Sequence, residues 1–166
     1  ACDFWKHSKH ELISEKIQTL LCFGKYCLKN NKTEEGLQTM DKVRMICENN
    51  YGKKHYLISK IYNSLGDFYS EKNDLINALN YYQKALQANT PDFNSNQIFN
   101  NPGDLKAFSD IYQITILKQK GSSLKKMNAR TGEIKYLYAA AETYNCMVDQ
   151  ISKLKDHIFD TEDKLT

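Results

Sequence analysis

The chain has few prolines and no long apolar run. Both of its two prolines lie between positions 91 and 102, and the longest apolar stretch, around Ile111 to Leu117, is interrupted by polar residues. A membrane-spanning helix needs ~18 consecutive apolar residues, so none is predicted. The net charge of +3 is too small to indicate a nucleic-acid-binding surface. An apolar content of 41% is ordinary for a globular protein and argues against disorder.

Its five cysteines form no C-x-x-C pair and no regular ladder. Three of them, Cys22, Cys27 and Cys146, lie within apolar helical patterns, which predicts reduced and buried thiols in a cytoplasmic protein. His7 and His10 lie near Cys2, but no second group of ligands completes a zinc shell. We therefore predict no metal site and no cofactor.

An initiator methionine is also missing, and we expect a fragment or a processed product. One interpretation of Ala1-Cys2 is the remnant of a lipoprotein cleavage site, with the lipid attached at Cys2. The other is an arbitrary boundary, and the sequence leaves both open.

Apolar residues recur at three- and four-residue steps nearly throughout the chain, which predicts helices and no strands. The predicted helices span about residues 10–28, 34–49, 58–69, 75–86, 104–127 and 134–157. Thr33 and Asp74 are the predicted N-caps of the second and fourth helices. A loop of ~15 residues with both prolines precedes the fifth helix. The last residues, from about 159, look like the start of a further helix capped by Asp160 or Thr161.

One stretch, residues 59–92, matches a known repeat at seven positions. These are Tyr62, Leu65, Gly66, Tyr69, Ala78, Tyr82 and Ala85. They stand at the spacing of the tetratricopeptide repeat, an antiparallel pair of helices. Gly66 and Ala78 are small because we expect the two helices to cross closely there. Tyr69 and Tyr82 fill the space beside the crossing, and Ala85 leaves room for the next repeat.

Two further copies are predicted from aligned glycines. In the first copy Gly24 takes the glycine position with Leu20 before it, and 42 residues separate Gly24 from Gly66. The third copy has the glycine, alanine and tyrosine positions at Gly121, Ala140 and Tyr144.

The third copy is longer than the second. Its glycine-to-alanine interval is 19 residues instead of 12, and the seven extra residues amount to about two helical turns, which keeps the apolar face in place. We therefore predict an all-α fold, a right-handed tetratricopeptide-type α-solenoid of three antiparallel hairpins. Its segments are a lead-in (1–16), a 42-residue repeat (17–58), a second repeat (59–92), a loop (93–103), a long hairpin (104–158) and a truncated helix (159–166).

The order of features after residue 70 resembles one family. It consists of "GDFYSEKNDLINALNYYQKAL", a loop with "DF…NP", the hairpin "TGEIKYLYAAAETYNCMVDQISKL" and "FDTEDKLT". This order resembles bacterial tetratricopeptide proteins whose C-terminal part is a CHAT domain, a caspase-like cysteine protease. The histidine and cysteine motifs of that protease have no counterpart in these residues. The resemblance implies a non-enzymatic regulatory arm in the bacterial cytoplasm, acting on a protease domain outside this sequence.

Solenoids of this kind bind protein or peptide segments, since their first helices line a concave groove. The resemblance implies that the second, fifth, ninth and twelfth residues of each first helix face this groove. The candidate groove residues are Lys25, Lys60, Asn63, Asp67, Ser70, Lys118 and Ser122, with Gln18, Leu21, Leu28, Thr115 and Lys125 at the remaining positions. Asn63 is the first choice because its amide can donate to and accept from one extended peptide unit. The alternative is that these residues form only a solvated surface.

Three other interpretations complete the prediction. A run of basic residues comprises Lys118, Lys120, Lys125, Lys126 and Arg130. We interpret it as a solvent-exposed surface; the alternative is that it binds phosphate or an acidic partner. A free-standing adaptor or a peptide-sensing regulator is the alternative to a protease arm. The solenoid end after Leu154 is expected to expose apolar surface and to self-associate.

Overall fold

The computed structural model describes the backbone of residues 2–103, 106–108 and 110–162, and the side chains of residues 12–103, 106–108 and 110–156. Within these ranges every regular element is a helix, which confirms the all-α prediction. The helices are α1 (Cys2–Lys29), α2 (Thr33–Tyr51), α3 (Tyr56–Glu71), α4 (Leu75–Asn89), α5 (Asp110–Thr131) and α6 (Ile134–Glu162). The connections between α1 and α2, between α3 and α4, and between α5 and α6 each join two helices that pack against each other, so the fold consists of helical hairpins.

The first compact unit, Ala1–Lys53, is the α1–α2 hairpin. Its buried apolar side chains are Ile17, Leu21, Cys27 and Leu28 of α1 and Met40, Val43 and Cys47 of α2. The chain reverses at Asn31, which has a φ of 61°, a left-handed conformation that asparagine tolerates better than most residues.

The second unit, Lys54–Thr166, contains the α3–α4 and α5–α6 hairpins side by side. Helix α5 packs against α4 and also contacts α3. One buried cluster joins α4, the following loop and α5 through Ala78, Tyr82, Ala85, Leu86, Phe93, Ile116 and Leu117. A second cluster continues toward α6 through Leu79, Leu124, Ala139 and Ala140. Small residues on α4 and α6 therefore lie where α5 approaches most closely.

In each hairpin of the second unit, a glycine packs directly against a tyrosine ring of the partner helix. A Cβ added at Gly66 would lie 2.5 Å from the ring of Tyr82, and one at Gly121 would lie 2.8 Å from the ring of Tyr144. Only the backbone of a glycine fits against these rings. The pairs are 16 and 23 residues apart, so the seven extra residues of α5–α6 lengthen the hairpin and keep the glycine opposite the tyrosine.

The remaining repeat positions lie around these crossings. Leu65 is buried, while Tyr62 and Tyr69 are half-buried and pack against the first cluster of this unit. Tyr69 stacks on Tyr81 of α4, with ring centres 5.3 Å apart. In the first unit, Leu20 is half-buried beside the buried Gly24.

Two helices are longer than predicted. Helix α1 begins at Cys2, so the predicted lead-in continues directly into the first helix of the first repeat. Helix α6 runs through Asp160 and Thr161 to Glu162, and the prediction of a new helix from residue 159 is wrong. Both misjudgements have one cause: residues 2–23 and 134–162 contain neither proline nor glycine, and a capping residue alone does not end a helix. Residues 163–166 of that predicted helix lie outside the described residues.

Two helix starts also differ from the prediction. Helix α5 begins at Asp110, later than predicted, because the N–H of Phe108 donates to the carbonyl of Asn89 at 2.7 Å and ties this segment to the end of α4. The N-cap of α2 is Lys32, without a side-chain capping bond, so the Thr33 prediction is wrong by one residue. The Asp74 cap is confirmed, since its carboxylate accepts from the N–H of Asn77 at 3.3 Å.

Candidate functional site

Helices α3 and α5 lie side by side and run in the same direction. Tyr56 and Tyr112, near their starts, have ring centres 6.3 Å apart, and Ser70 and Ser123 have hydroxyl oxygens 3.4 Å apart. At the far end, a guanidinium nitrogen of Arg130 donates to the carbonyl of Asn73 at 3.2 Å. We call the surface along this helix pair the α3–α5 groove.

Six of the seven candidate groove residues lie on these two helices. The four on α3 recur at three- and four-residue steps: Lys60, Asn63, Asp67 and Ser70. The two on α5 are the exposed Lys118 and the half-buried Ser122. The seventh, Lys25, is exposed on α1 in the other unit. The α3–α5 groove is therefore the place where the candidates come together.

Asn63 is more enclosed than the sequence hypothesis requires. Its side chain is 9% exposed, and its amide nitrogen donates to Asp67 Oδ2 at 3.4 Å. Its amide oxygen is buried and has no hydrogen-bond partner among the described residues. The amide oxygen of Asn63 can therefore accept from a ligand only after a change of rotamer.

Asp67 holds this part of the groove in place. Its Oδ1 accepts a hydrogen bond of 2.9 Å from the hydroxyl of Tyr82, the residue that packs on Gly66. Burial and the neighbouring Asp67 carboxylate raise the pKa of Tyr82 well above its usual range, so the phenol stays a donor at neutral pH. The helix crossing and the groove are thus joined by one hydrogen-bonded chain that runs from Tyr82 through Asp67 to Asn63.

An aromatic pair at the start of the groove was not among the predicted site residues. Lys60 Nζ lies 4.8 Å from the ring centre of Tyr112 and 6.0 Å from that of Tyr56, within the range of cation–π attraction. Both tyrosines precede the first position of the repeat pattern, which explains why spacing alone missed them. The ammonium group of Lys60 is held over the start of the groove.

The prediction that Lys120 belongs to a solvent-exposed basic surface is wrong. Its side chain is fully buried, and its ammonium donates to Gln83 Oε1 at 2.8 Å, to the carbonyl of Asn100 at 2.7 Å and to Asn101 Oδ1 at 2.9 Å. Burial lowers the pKa of Lys120 to about 7. Lys120 therefore joins α5 to α4 and to the loop and takes no part in a basic surface.

The loop after α4 is fixed by side chains from several elements. Lys54 Nζ donates to the carbonyls of Thr90 at 3.2 Å and Phe93 at 3.0 Å, and also to that of Pro91. Gln83 of α4 donates to the carbonyl of Ser95 at 2.7 Å. These bonds give the predicted long loop a structural role, since it fills the space between α4 and α6.

Neither of the two buried cysteines is arranged as a nucleophile. Cys27 and Cys47 are buried, and burial raises the pKa of both, that of Cys47 to about 11. Cys22 is exposed and not buried as predicted, because it lies on the outer side of α1. In the same ranges no group of three or more His, Cys, Asp or Glu side chains could hold a metal ion. The side chains of Cys2, His7 and His10 lie outside the described residues.

No described helix is both long enough and apolar enough to cross a membrane. The outer face of α6 is nevertheless rich in exposed apolar side chains: Ile134, Leu137, Tyr138, Val148 and Ile151.

Comparison with known proteins identifies the repeat. Residues 15–90 match a family model described as tetratricopeptide repeat. No curated protein and no solved structure matches the chain. The matched residues include the crossing glycines of the first two hairpins, Gly24 and Gly66. The α5–α6 hairpin lies beyond the match but has the same glycine–tyrosine contact as α3–α4. Family match and helical hairpins together support a tetratricopeptide-repeat protein.

Proposed function

We propose that this chain is a non-enzymatic scaffold that binds a protein or peptide segment along the α3–α5 groove. Tetratricopeptide repeats generally mediate protein–protein interaction, and their first helices form the binding surface. The observation that carries the proposal is the row of partly exposed polar side chains on α3, Lys60, Asp67 and Ser70, beside Ser122 on α5. This row is about 15 Å long, the length of about five extended residues.

The chemistry of the two buried cysteines, Cys27 and Cys47, favours a scaffold over an enzyme. A cysteine nucleophile needs a lowered pKa or an adjacent base, whereas the pKa values of Cys27 and Cys47 are raised by burial.

The test is a selection of peptides from a random display library against the full chain, followed by a blocking substitution. Ser122→Trp places a bulky ring in the groove and is expected to weaken the selected peptides at least tenfold. Asn80→Trp, at an exposed position on α4, is the matched control and is expected to leave binding unchanged. Equal binding by both variants would contradict the proposed groove.

We further propose that the scaffold is the regulatory arm of a CHAT-type cysteine protease. The support is the order of sequence features after residue 70, which resembles the arms of such proteases. Intact mass and peptide sequencing of the native gene product test this point. A polypeptide that continues into an α/β domain with a catalytic histidine and cysteine would support it. A product that ends near Thr166 would instead favour a free-standing adaptor.

Self-association through the solenoid end after Leu154 stays a prediction. Sedimentation at increasing protein concentration checks it, and a strictly monomeric chain would contradict it.

A further inference from the structure

Five basic side chains on α3 and α5 have no carboxylate partner among the described residues. They are Lys60, Lys118, Lys125, Lys126 and Arg130. The ion pairs that the structure shows lie elsewhere, on α2 and at the turn before α6. The positive charge of the groove is therefore not neutralised within the described part of the chain.

Acidic residues on the same helices do not cancel this charge. Helices α3 and α5 carry three of them, Asp67, Glu71 and Asp110. Asp67 already accepts from Tyr82 and Asn63, and Glu71 and Asp110 lie at helix ends. A carboxylate of a partner could therefore pair with these basic side chains without displacing an existing ion pair.

The basic groups are spread along the groove. Lys60 lies over the aromatic pair at its start, Lys126 Nζ is 3.5 Å from the hydroxyl of Ser70, and Arg130 contacts Asn73 at its end. From residue 60 to residue 73 the helical rise is about 20 Å, the length of about six extended residues. A short extended segment with carboxylates at both ends can therefore reach Lys60, Lys126 and Arg130 together.

Aromatic geometry favours a protein segment over a nucleic acid. Single-stranded nucleic acids bind by stacking bases on open aromatic rings. Tyr56 and Tyr112 lie against each other, with an angle of 30° between their planes, and Lys60 covers them. Each of these rings therefore has both an aromatic and a cationic neighbour at the start of the groove, which leaves less of the ring for a stacked base.

From this charge complementarity we propose that the α3–α5 groove binds an acidic protein segment in an extended conformation. The inference rests on the function proposed above and specifies the chemistry of the partner. Carboxylates of the segment pair with Lys60, Lys126 and Arg130, and the hydroxyls of Ser70 and Ser122 lie between them as hydrogen-bonding groups.

The test uses two fluorescein-labelled eight-residue peptides, one alternating Glu and Ala and the other alternating Gln and Ala. Fluorescence anisotropy with the full chain is expected to show at least tenfold tighter binding of the Glu peptide. The difference should shrink as salt is raised, because exposed charge pairs are screened. Equal affinity for the two peptides would overturn the acidic partner but leave groove binding intact.

Matched variants locate the binding. Lys60→Gln and Lys126→Gln are each expected to weaken the Glu peptide by about threefold or more. Lys84→Gln is the control, because Lys84 Nζ lies 5.0 Å from the ring centre of Tyr81 on α4, the same kind of contact that Lys60 makes in the groove. Recovery of affinity in Lys60→Arg would show that the charge matters. Equal losses in Lys60→Gln and Lys84→Gln would overturn the assignment.

Two further outcomes separate the proposals. If neither peptide binds but display selects neutral ligands that Ser122→Trp blocks, the acidic inference fails and the groove function stands. If display also yields nothing, both fail. A single-stranded oligonucleotide of equal charge that binds more tightly than the Glu peptide would overturn the choice of a protein partner.

Discussion

The α1–α2 and α3–α4 hairpins place a glycine at equivalent positions, but they pack it against different side chains. A Cβ at Gly24 would lie 3.2 Å from the end of the Met40 side chain, whereas one at Gly66 would lie 2.5 Å from the ring of Tyr82. A thioether can move aside by rotating its flexible bonds, but the ring is fixed by the hydrogen bond from its hydroxyl to Asp67. At this one position the same spacing thus gives a tolerant glycine contact in the first hairpin and a rigid one in the second.

The two units also differ in the polarity of their buried side chains. The α1–α2 hairpin has an apolar interior and places its ion pairs at the surface, as between Arg44 and Asp41. The second unit encloses Asn63, Gln83 and Lys120. Gln83 and Lys120 fix one arrangement of α4, α5 and the loop, because separating them would leave buried groups unpaired. The rigid unit is also the one that holds the α3–α5 groove.

The largest effect is expected for Gly66→Ala. The added methyl group must displace the ring of Tyr82 and break its bond to Asp67, so the free energy of unfolding should fall by about 3 kcal/mol. Urea unfolding followed by circular dichroism measures it. Unchanged stability would contradict the rigid crossing and remove the contrast between the hairpins.

The buried Lys120 of the second unit should make the free energy of unfolding depend on pH. Burial lowers its pKa from 10.5 to about 7, so between these values the unfolded chain binds a proton that the folded chain has released. Stability should therefore rise with pH, by about 2 kcal/mol between pH 7 and pH 9. Urea unfolding at several pH values measures this rise. Lys120→Met is the control, and a rise that persists in this variant would assign the effect to another group.

Gly121→Ala is expected to have a smaller effect than Gly66→Ala. The nearest ring atom of Tyr144 is 2.8 Å from the added Cβ, and Tyr144 is half-buried, so the ring can move further toward solvent. We expect a loss of about 1–2 kcal/mol. Urea unfolding measures this loss of unfolding free energy. A loss equal to that of Gly66→Ala would show that the two glycine–tyrosine contacts are equally rigid.

Gly24→Ala should be nearly neutral. The Met40 side chain can yield by the few tenths of an ångström required, and alanine gains about 1 kcal/mol of helix propensity over glycine, which offsets the strain. Thermal unfolding measures the effect. A midpoint lowered by more than a few degrees would show that the Gly24 contact is as rigid as the Gly66 contact, and would contradict the comparison.

Features set by local spacing could be read from the sequence. The crossing glycines, their partners Tyr82 and Tyr144 and the two-turn extension of α5–α6 follow from periodicity and side-chain size. The Asp74 cap is local too, since it needs only the residue three positions later. These features depend on neighbours along one helix or across one hairpin.

Features that depend on residues far apart in the sequence could not be predicted from it. Lys120 reads as a surface lysine, and only the fold brings Gln83, Asn100 and Asn101 to its ammonium. The enclosure of Asn63 likewise depends on the orientation of Asp67, which Tyr82 of the next helix fixes. The sequence pattern placed the candidate residues on α3 and α5 and did not show which of their side chains are free to meet a ligand.

The most direct test of the account is a nuclear magnetic resonance titration of the 19.3 kDa chain with a display-selected peptide. The account predicts that the backbone amide shifts that change most cluster on α3 and α5, around Lys60, Ser70 and Ser122. Changes confined to α1–α2 or to the outer face of α6 would contradict a binding groove between α3 and α5.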